Sequence, residues 1–370
     1  MEQTKKPTRD YPSYSDSPWG LWDTLYARRS HRKYLPSEVD DSLMASLRET
    51  VELAVSVRGA GGDSLLVVTD KGRVDRLKKN IHKGFQGKIN LWLARASLHG
   101  FLVLVLPKQD VGSERPQLLP QAVMAAEDCV LWLTEAGQGT CWLGGISQKG
   151  VKEAMGLGGE MFVPAVIPFG KPKPRVQARD IDHMMYRTIS RKRKPLSDIA
   201  HLEAMDRPYP VSEIEHKPFS ASQIQDVAGL LRRLEEMSES EGDVDLGLAI
   251  DGCLEAARIS PSASNAQTWN FVAVSGEDAL RELVRACGIE GGWRAAIVGV
   301  GEPGIGFIHE IMEKPFWMMD LPIAFSQMSL MAASMDLAID LHVTGFDEKT
   351  VNAVMGLPST LRTVGVMGIK

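Results

Sequence analysis

Cysteine is scarce and scattered: four in 370 residues, at Cys129, Cys141, Cys253 and Cys287, with no Cys-x-x-Cys pair. That excludes a disulfide scaffold or a zinc ribbon, and three of the four sit among apolar neighbours, as buried free thiols do. The eight histidines show no ligand spacing, and His309-Glu310 lacks the second histidine of a zinc-protease helix, so no metal is expected. Apolar runs such as Gly100–Pro107 and Met328–Ala333 fall well short of the ~20 residues of a membrane span. The first 20 residues have no apolar stretch and do not read as a signal peptide. Neither sign of charge dominates: 42 Lys and Arg against 47 Asp and Glu leave a net charge of −5, with no footprint of a nucleic-acid binder. A Gly-x-Ser-x-Gly elbow and a kinase signature are also missing. What remains as the default is a soluble, reduced, cytoplasmic protein with no nucleic-acid or membrane partner. With 44% hydrophobic and 24% charged residues it is ordinary globular material, long enough for two domains.

The two halves repeat one another at an offset of 200. Gly150–Leu157 and Lys349–Leu357 both close on Met-Gly-Leu, and Gly145 and Gly345 fall in register. Each is preceded by a long apolar segment that predicts a helix, Ala122–Gly137 and Pro322–Leu341, and followed by a strand-like run, Pro164–Gly170 and Arg362–Gly368. Upstream, residues 99–108 and 293–303 read as buried strands, while 64–79 and 270–285 each read as strand, turn and amphipathic helix. Between the copies, residues 171–220 are rich in proline and carry a basic run. The expected organisation is one domain over 19–180, a linker over 181–210 and a second domain over 211–370.

Chemistry concentrates in a few segments. Tyr26–Tyr34 packs Arg28, Arg29, Ser30 and Arg32 at a predicted helix end, a cation-and-hydroxyl cradle suited to an anion. Pro261–Trp269 lies between a predicted helix (Leu246–Arg258) and a strand (Phe271–Val274), with Ser262, Ser264, Asn265 and Gln267 offering donors and acceptors to a planar heteroaromatic edge. Gly299-Val-Gly301-Glu-Pro-Gly304 matches a dinucleotide fingerprint, but its counterpart in the first repeat has no glycines, so it reads as a strand end with a glycine-rich turn.

Together these segments resemble the nitroreductase family, most closely a branch without an assigned reaction. The family's Arg-Arg-Ser-x-Arg-x-Tyr opening is matched by Arg28, Arg29, Ser30, Arg32 and Tyr34. Its Pro-Ser-x-x-Asn-x-Gln-Pro-Trp loop is matched by Pro261, Ser262, Asn265, Gln267 and Trp269, with Thr268 where proline is usual. Gly139, Thr140, Cys141, Trp142, Gly144 and Gly145 match its Gly-Thr-Cys-Trp-x-Gly-Gly element, and Gly170, Lys171, Lys173 and Arg175 its terminal cations.

The resemblance implies an α+β fold with two tandem nitroreductase-like domains, each a mostly antiparallel sheet flanked by helices, packed as an intramolecular pseudo-dimer within a monomer. It implies FMN as cofactor and NAD(P)H as electron donor, reducing a nitro, quinone or enone acceptor by hydride transfer through flavin N5. Specialised flavin chemistry, such as reductive dehalogenation, flavin fragmentation or dehydrogenation, and a non-catalytic flavin-binding role are the alternatives. Family sites are built from two subunits, and the motifs here divide accordingly. Arg28, Arg29, Ser30, Arg32, Thr140, Trp142, Leu143, Gly144, Gly145, Lys171 and Lys173 come from the first half; Pro261, Ser262, Ser264, Asn265 and Gln267 come from the second. By the family pattern, Arg28, Arg29, Lys171 and Lys173 hold the phosphate, Arg32 faces the N1–C2 edge, and the second-half polar residues face the pyrimidine. The reciprocal combination is degraded: Arg58–Asp63 replaces the Pro-Ser loop, Leu341–Thr344 replaces Gly-Thr-Cys-Trp, and Arg191–Lys194 reads as a solvated linker run, with a decayed Arg-Arg-Ser element as the alternative. One working site per chain is expected, its chemistry carried by the flavin and not by a catalytic side chain.

Overall fold

Alternating hydrophobic strands and amphipathic helices recur in the same order in each half, and the computed structural model bears out that pattern for residues 20–83, 88–173, 193–210, 225–240, 244–303, 308–309 and 314–370. The first half runs α1 (Leu21–Ala27), α2 (Asp41–Arg58), β1 (Leu65–Val68), α3 (Lys71–Asn80), β2 (Gly100–Leu104), α4 (Leu118–Glu135), β3 (Gly139–Thr140), α5 (Gln148–Met155) and β4 (Val166–Gly170). After β5 (Ala200–Leu202), the second half repeats the series as α6 (Val227–Glu236), α7 (Leu246–Ile259), β6 (Trp269–Val274), α8 (Glu277–Ala286), β7 (Ala295–Gly301), α9 (Trp317–Ser334), β8 (Ile339–His342), α10 (Glu348–Val354) and β9 (Arg362–Ile369). The sheets share an equivalent four-stranded order, β1-β2-β4-β3 and β6-β7-β9-β8, with these strands antiparallel to their neighbours. Side-chain caps also repeat: Ser147 accepts from the Gly150 amide at the start of α5, and Asp347 from the Lys349 amide at the start of α10.

The period-2 alternation of each strand assigns its two faces to different cores. In β2, Leu102 and Leu104 face a central cluster while Phe101 and Val103 face a separate one under α3 and α5. In β7, Ala295 and Ile297 face the same central cluster while Ala296, Val298 and Val300 face a third one under α8 and α10. The central cluster therefore draws on both halves, and α4 and α9 run through it. Both helices are buried nearly all round, which accounts for their apolar sequences. The second long helix begins at Trp317 and not at Pro322.

Two features tie the halves beyond the α4–α9 contact. Helices α1 and α6 each pack on both halves: Tyr26 Oη donates to Glu255 Oε1 of α7 at 2.9 Å, and Ser56 Oγ of α2 donates to Glu235 Oε1 of α6 at 3.2 Å. Strand β5 joins the second sheet, parallel to β6. It lies in the stretch expected as a linker, 181–210; residues 181–192 of that stretch fall outside the described ones, while Leu196, Ile199 and Ala200 are buried in the central core. No helix among the described residues is long and apolar enough to cross a membrane.

The glycine fingerprint is explained by packing. A Cβ on Gly299 would meet the Phe325 ring at 2.6 Å, and one on Gly301 the Trp317 ring at 2.4 Å, so these β7 glycines let α9 lie close on the sheet. Gly304 lies outside the described residues.

Candidate active site

Residues 28–35 leave α1 as an extended segment threaded between β3 and the chain beyond β4. His31 N donates to Thr140 O at 2.7 Å, Leu35 N to Lys171 O at 2.8 Å, and Lys173 N to Lys33 O at 3.0 Å. Tyr34 is buried and donates its hydroxyl to His31 O at 2.7 Å. A Cβ at Gly139 would stand 2.8 Å from both His31 Cγ and Pro172 Cβ, so the crossing requires glycine there. Three expected elements thus meet: Arg28–Arg32, the Thr140 strand, and Lys171–Lys173. Leu143 pairs reciprocally with Val166 (both bonds 3.0 Å), and Gly145 O accepts from Asn90 Nδ2 at 2.6 Å. Among the described residues neither Gly144 nor Gly145 donates its backbone N–H.

Sequence reasoning missed the residue beneath this segment. Glu127 of α4 is fully buried and accepts from Trp142 Nε1 at 2.8 Å and from Gln327 Nε2 of α9 at 2.7 Å; Arg28 Nε lies 3.9 Å from it. Burial pushes the Glu127 carboxyl up to about 7, opposed by Arg28, Gln327 and Trp142. Its neighbour Asp128 takes two bonds from Arg58 (2.7 and 2.9 Å) and one from Ser326 of the second half (2.7 Å). The available signal was this acidic pair interrupting an otherwise apolar helix. Burial, then Arg29 and Arg28, pull His31 down to about 4, so it is neutral at pH 7.

The second-half loop is held in a costly backbone conformation. Ser264, Asn265 and Gln267 have φ of 50°, 53° and 51°, in the left-handed region, at about 1–3 kcal/mol each. Such strain persists only where surroundings over-determine it. Here Asp320 of α9 accepts from Ala263 N (3.0 and 3.2 Å), and Ser262 Oγ accepts from Gln267 N (3.1 Å). Burial raises Asp320 to about 8, against the Ala263 bond. Arg193 donates to the last carbonyls of α7, to Arg258 O at 3.0 Å, to Ile259 O at 2.7 Å and to Ser260 O. Lys194 N donates to Gln267 Oε1 (2.8 Å) and Lys194 Nζ to Gln267 O (2.9 Å).

Two expectations change. Arg193 and Lys194 are not a solvated run but the clamp on this loop; Arg191 and Lys192 lie outside the described residues. Gln267 is only 1% exposed, and its amide bonds Lys194 N and Asn265 O (3.1 Å), so it shapes the loop from within. Pro261, Ser262 and Asn265 are half-buried and Ser264 is exposed. The loop reaches the first-half segment through α7: Glu255, one turn before its end, accepts from Tyr26 of α1, the helix that ends beside Arg28.

Three features of the site bear on whether it suits a phosphate-bearing flavin. Arg28 Nε is buried without a hydrogen-bond acceptor among the described residues, two adjacent glycine amides are undonated, and the facing loop is strained. These features fit such a group.

A model of the family described as "Putative TM nitroreductase" matches residues 21–215, more than half of the chain. The chain belongs to this nitroreductase family and is a flavin-dependent oxidoreductase. Among solved structures, a "putative nitroreductase" from Thermotoga maritima is 16% identical, covering 90% of this chain and 94% of its own, with a TM-score of 0.42. An FMN-dependent nitroreductase from Clostridium difficile is 23% identical over 44% of this chain and 94% of its own (TM-score 0.34). A nitroreductase family protein from Clostridium novyi is 20% identical over 45% and 91% (TM-score 0.35). No curated protein matches the chain significantly.

Proposed function

We propose that the chain binds one FMN between its halves and uses NAD(P)H to reduce a small nitro, quinone or enone compound. The observation that carries this reading is the contrast between equivalent positions of the two repeats. Thr140 of the first site is replaced by Asp340, which takes an ion pair from Lys370 (2.8 Å) and a bond from Trp293 Nε1 (2.9 Å). Where Arg28–Lys33 follows α1, the segment after α6 carries Glu239 and Asp245. Trp142 is replaced by His342. A phosphate would meet cations at one site and carboxylates at the other.

In the proposed site, Arg28, Arg29, Lys171 and Lys173 hold the phosphate by charge-assisted bonds, with Ser30 beside them. Arg32 supplies positive charge to the N1–C2 edge, and Ser262, Ser264 and Asn265 address the pyrimidine. The Gly144 and Gly145 amides are available donors near the ring, and Trp142 is fixed by Glu127. When bound, the flavin supplies hydride acceptance and donation; the chain orients it and excludes water.

Flavin absorbance of the purified protein should give about one FMN per chain; two equivalents, or none after reconstitution, reject the reading. Replacing Arg28 and Arg29 with Ala should weaken FMN binding by roughly 10- to 100-fold per arginine, at about 1.5–3 kcal/mol for each charged hydrogen bond. Anaerobic addition of NADH and NADPH should bleach the bound flavin, and unchanged absorbance with both would remove the oxidoreductase step.

A further inference from the structure

The repeat places a second cleft where the degraded site would be. It is about 260 Å³, below the ~300–1,000 Å³ of drug-sized pockets, and lies between residues 114–120 of the first half and the α9 start, residues 343–346 and 362–364 of the second. Val343–Gly345 is the equivalent of Leu143–Gly145, so the cleft occupies the ring end of the degraded site, whereas Asp340, Lys370 and Trp293 fill its phosphate end.

We propose that this cleft is a second ligand site, specific for a single-ring aromatic carboxylate and not for a flavin nucleotide. Its walls are flat and apolar: Trp317, Phe346 and Pro120 line it. Its polar groups are mostly donors. Arg115 lies over the Phe346 ring with its guanidinium carbon 5.4 Å from the centroid, a cation–π arrangement that presents the fork along an aromatic face. Arg362 stands beside it and also pairs with Glu348 (2.8 Å), which Arg115 contacts too. One recessed carboxylate therefore serves two guanidiniums and, in addition, the Thr363 amide at 3.1 Å. The other acids nearby compensate little. Glu114 is 85% exposed and 3.8 Å from Arg362, and Asp347 caps its own helix through Lys349 N and Thr350 Oγ1. Trp317 Nε1 is a buried donor with no acceptor among the described residues. A carboxylate on an aromatic ring matches this set: the ring stacks on the apolar walls and the anion balances the second of two guanidiniums that share the single carboxylate of Glu348. Arg115 and Glu348 come from opposite halves, so an occupant would bridge the pseudo-dimer.

The inference rests on the repeat geometry and not on flavin in the first site, and the test keeps the two apart. Benzoate is titrated into the purified protein, with benzamide in parallel, by calorimetry and saturation-transfer NMR. Saturable benzoate binding at one per chain is expected, at least tenfold tighter than benzamide. Arg115→Gln should weaken it about tenfold or more, and Thr344→Trp, which fills the cleft from a lining position, should abolish it at unchanged flavin content. Arg28→Ala/Arg29→Ala should leave benzoate binding intact while losing FMN. Absence of saturable binding, equal affinity for benzamide, insensitivity to both cleft variants, or loss in the Arg28/Arg29 variant each overturns the proposal. Failure of the first-site reading alone appears as normal benzoate binding with an FMN content other than one.

Discussion

Glu127 and Gln327 are 200 residues apart and touch at 2.7 Å. That separation equals the repeat offset, so the pair is a position meeting its own counterpart, as residues on the dyad of an isologous dimer must. Two glutamates there would be buried like charges; a glutamate facing a glutamine is a donor–acceptor pair. The fused chain can break this symmetry where a homodimer cannot, and the retained carboxylate lies beside Arg28. Glu127→Gln leaves an oxygen for Trp142 Nε1 and obliges the Gln327 amide to turn its oxygen toward the new NH2, and it removes the charged partner of Arg28. A stability loss of about 1–3 kcal/mol is expected in urea titrations. FMN dissociation should also be faster, because Arg28 loses its anchor. A variant with normal flavin retention would confine Glu127 to packing.

At the scale of elements, the legibility of the sequence follows from how local each signal is. The repeated helices and strands were readable because period and turn residues are local: the helix predicted over Leu246–Arg258 is observed over Leu246–Ile259, and the strand over 293–303 as Ala295–Gly301. The bridging of both halves by α1 and α6 was not readable, since a short amphipathic helix carries no mark of what it packs on. Strand β5 was hidden for a similar reason: three residues adding to an existing edge in parallel need no hairpin signal. Within the candidate site the motif residues were visible, but their supports were not. The contacts Glu127–Gln327, Asp320–Ala263 and Arg193–Ile259 each join groups 57 or more residues apart, and spacing does not encode such contacts. The α7 end gives a direct test. Arg193→Ala removes the donor to three consecutive carbonyls, at an expected cost of about 2 kcal/mol. It should also open residues 261–267 to limited proteolysis; an unchanged digestion pattern would show that the loop holds its strained backbone without the clamp.

For the molecule as a whole, one shared core under two sheets makes the buried acids a common burden on stability. Burial holds Glu127 and Glu135 at about 7 and Asp320 at about 8, all above the ordinary carboxylate range. The folded chain keeps protons there that the unfolded chain releases, so stability is greatest below these values and falls as pH rises through them. His31, lowered to about 4, acts in the opposite sense, as do His99 and His342, also lowered by burial; that gain is complete above the ordinary histidine value of ~6.5. Between pH 6.5 and 8 the carboxylates outweigh what is left of the histidine titration, and the thermal midpoint should fall across that window. Asp320→Asn isolates one contribution, because the amide oxygen still accepts from Ala263 N while the ionisation is gone. The variant should show a shallower fall in Tm from pH 6.5 to 8, with its largest gain over the parent at the alkaline end. Parallel curves for the two proteins would mean that Asp320 titrates alike in the folded and unfolded chain, and its burial between α9 and the Pro261–Gln267 loop would then carry no linkage.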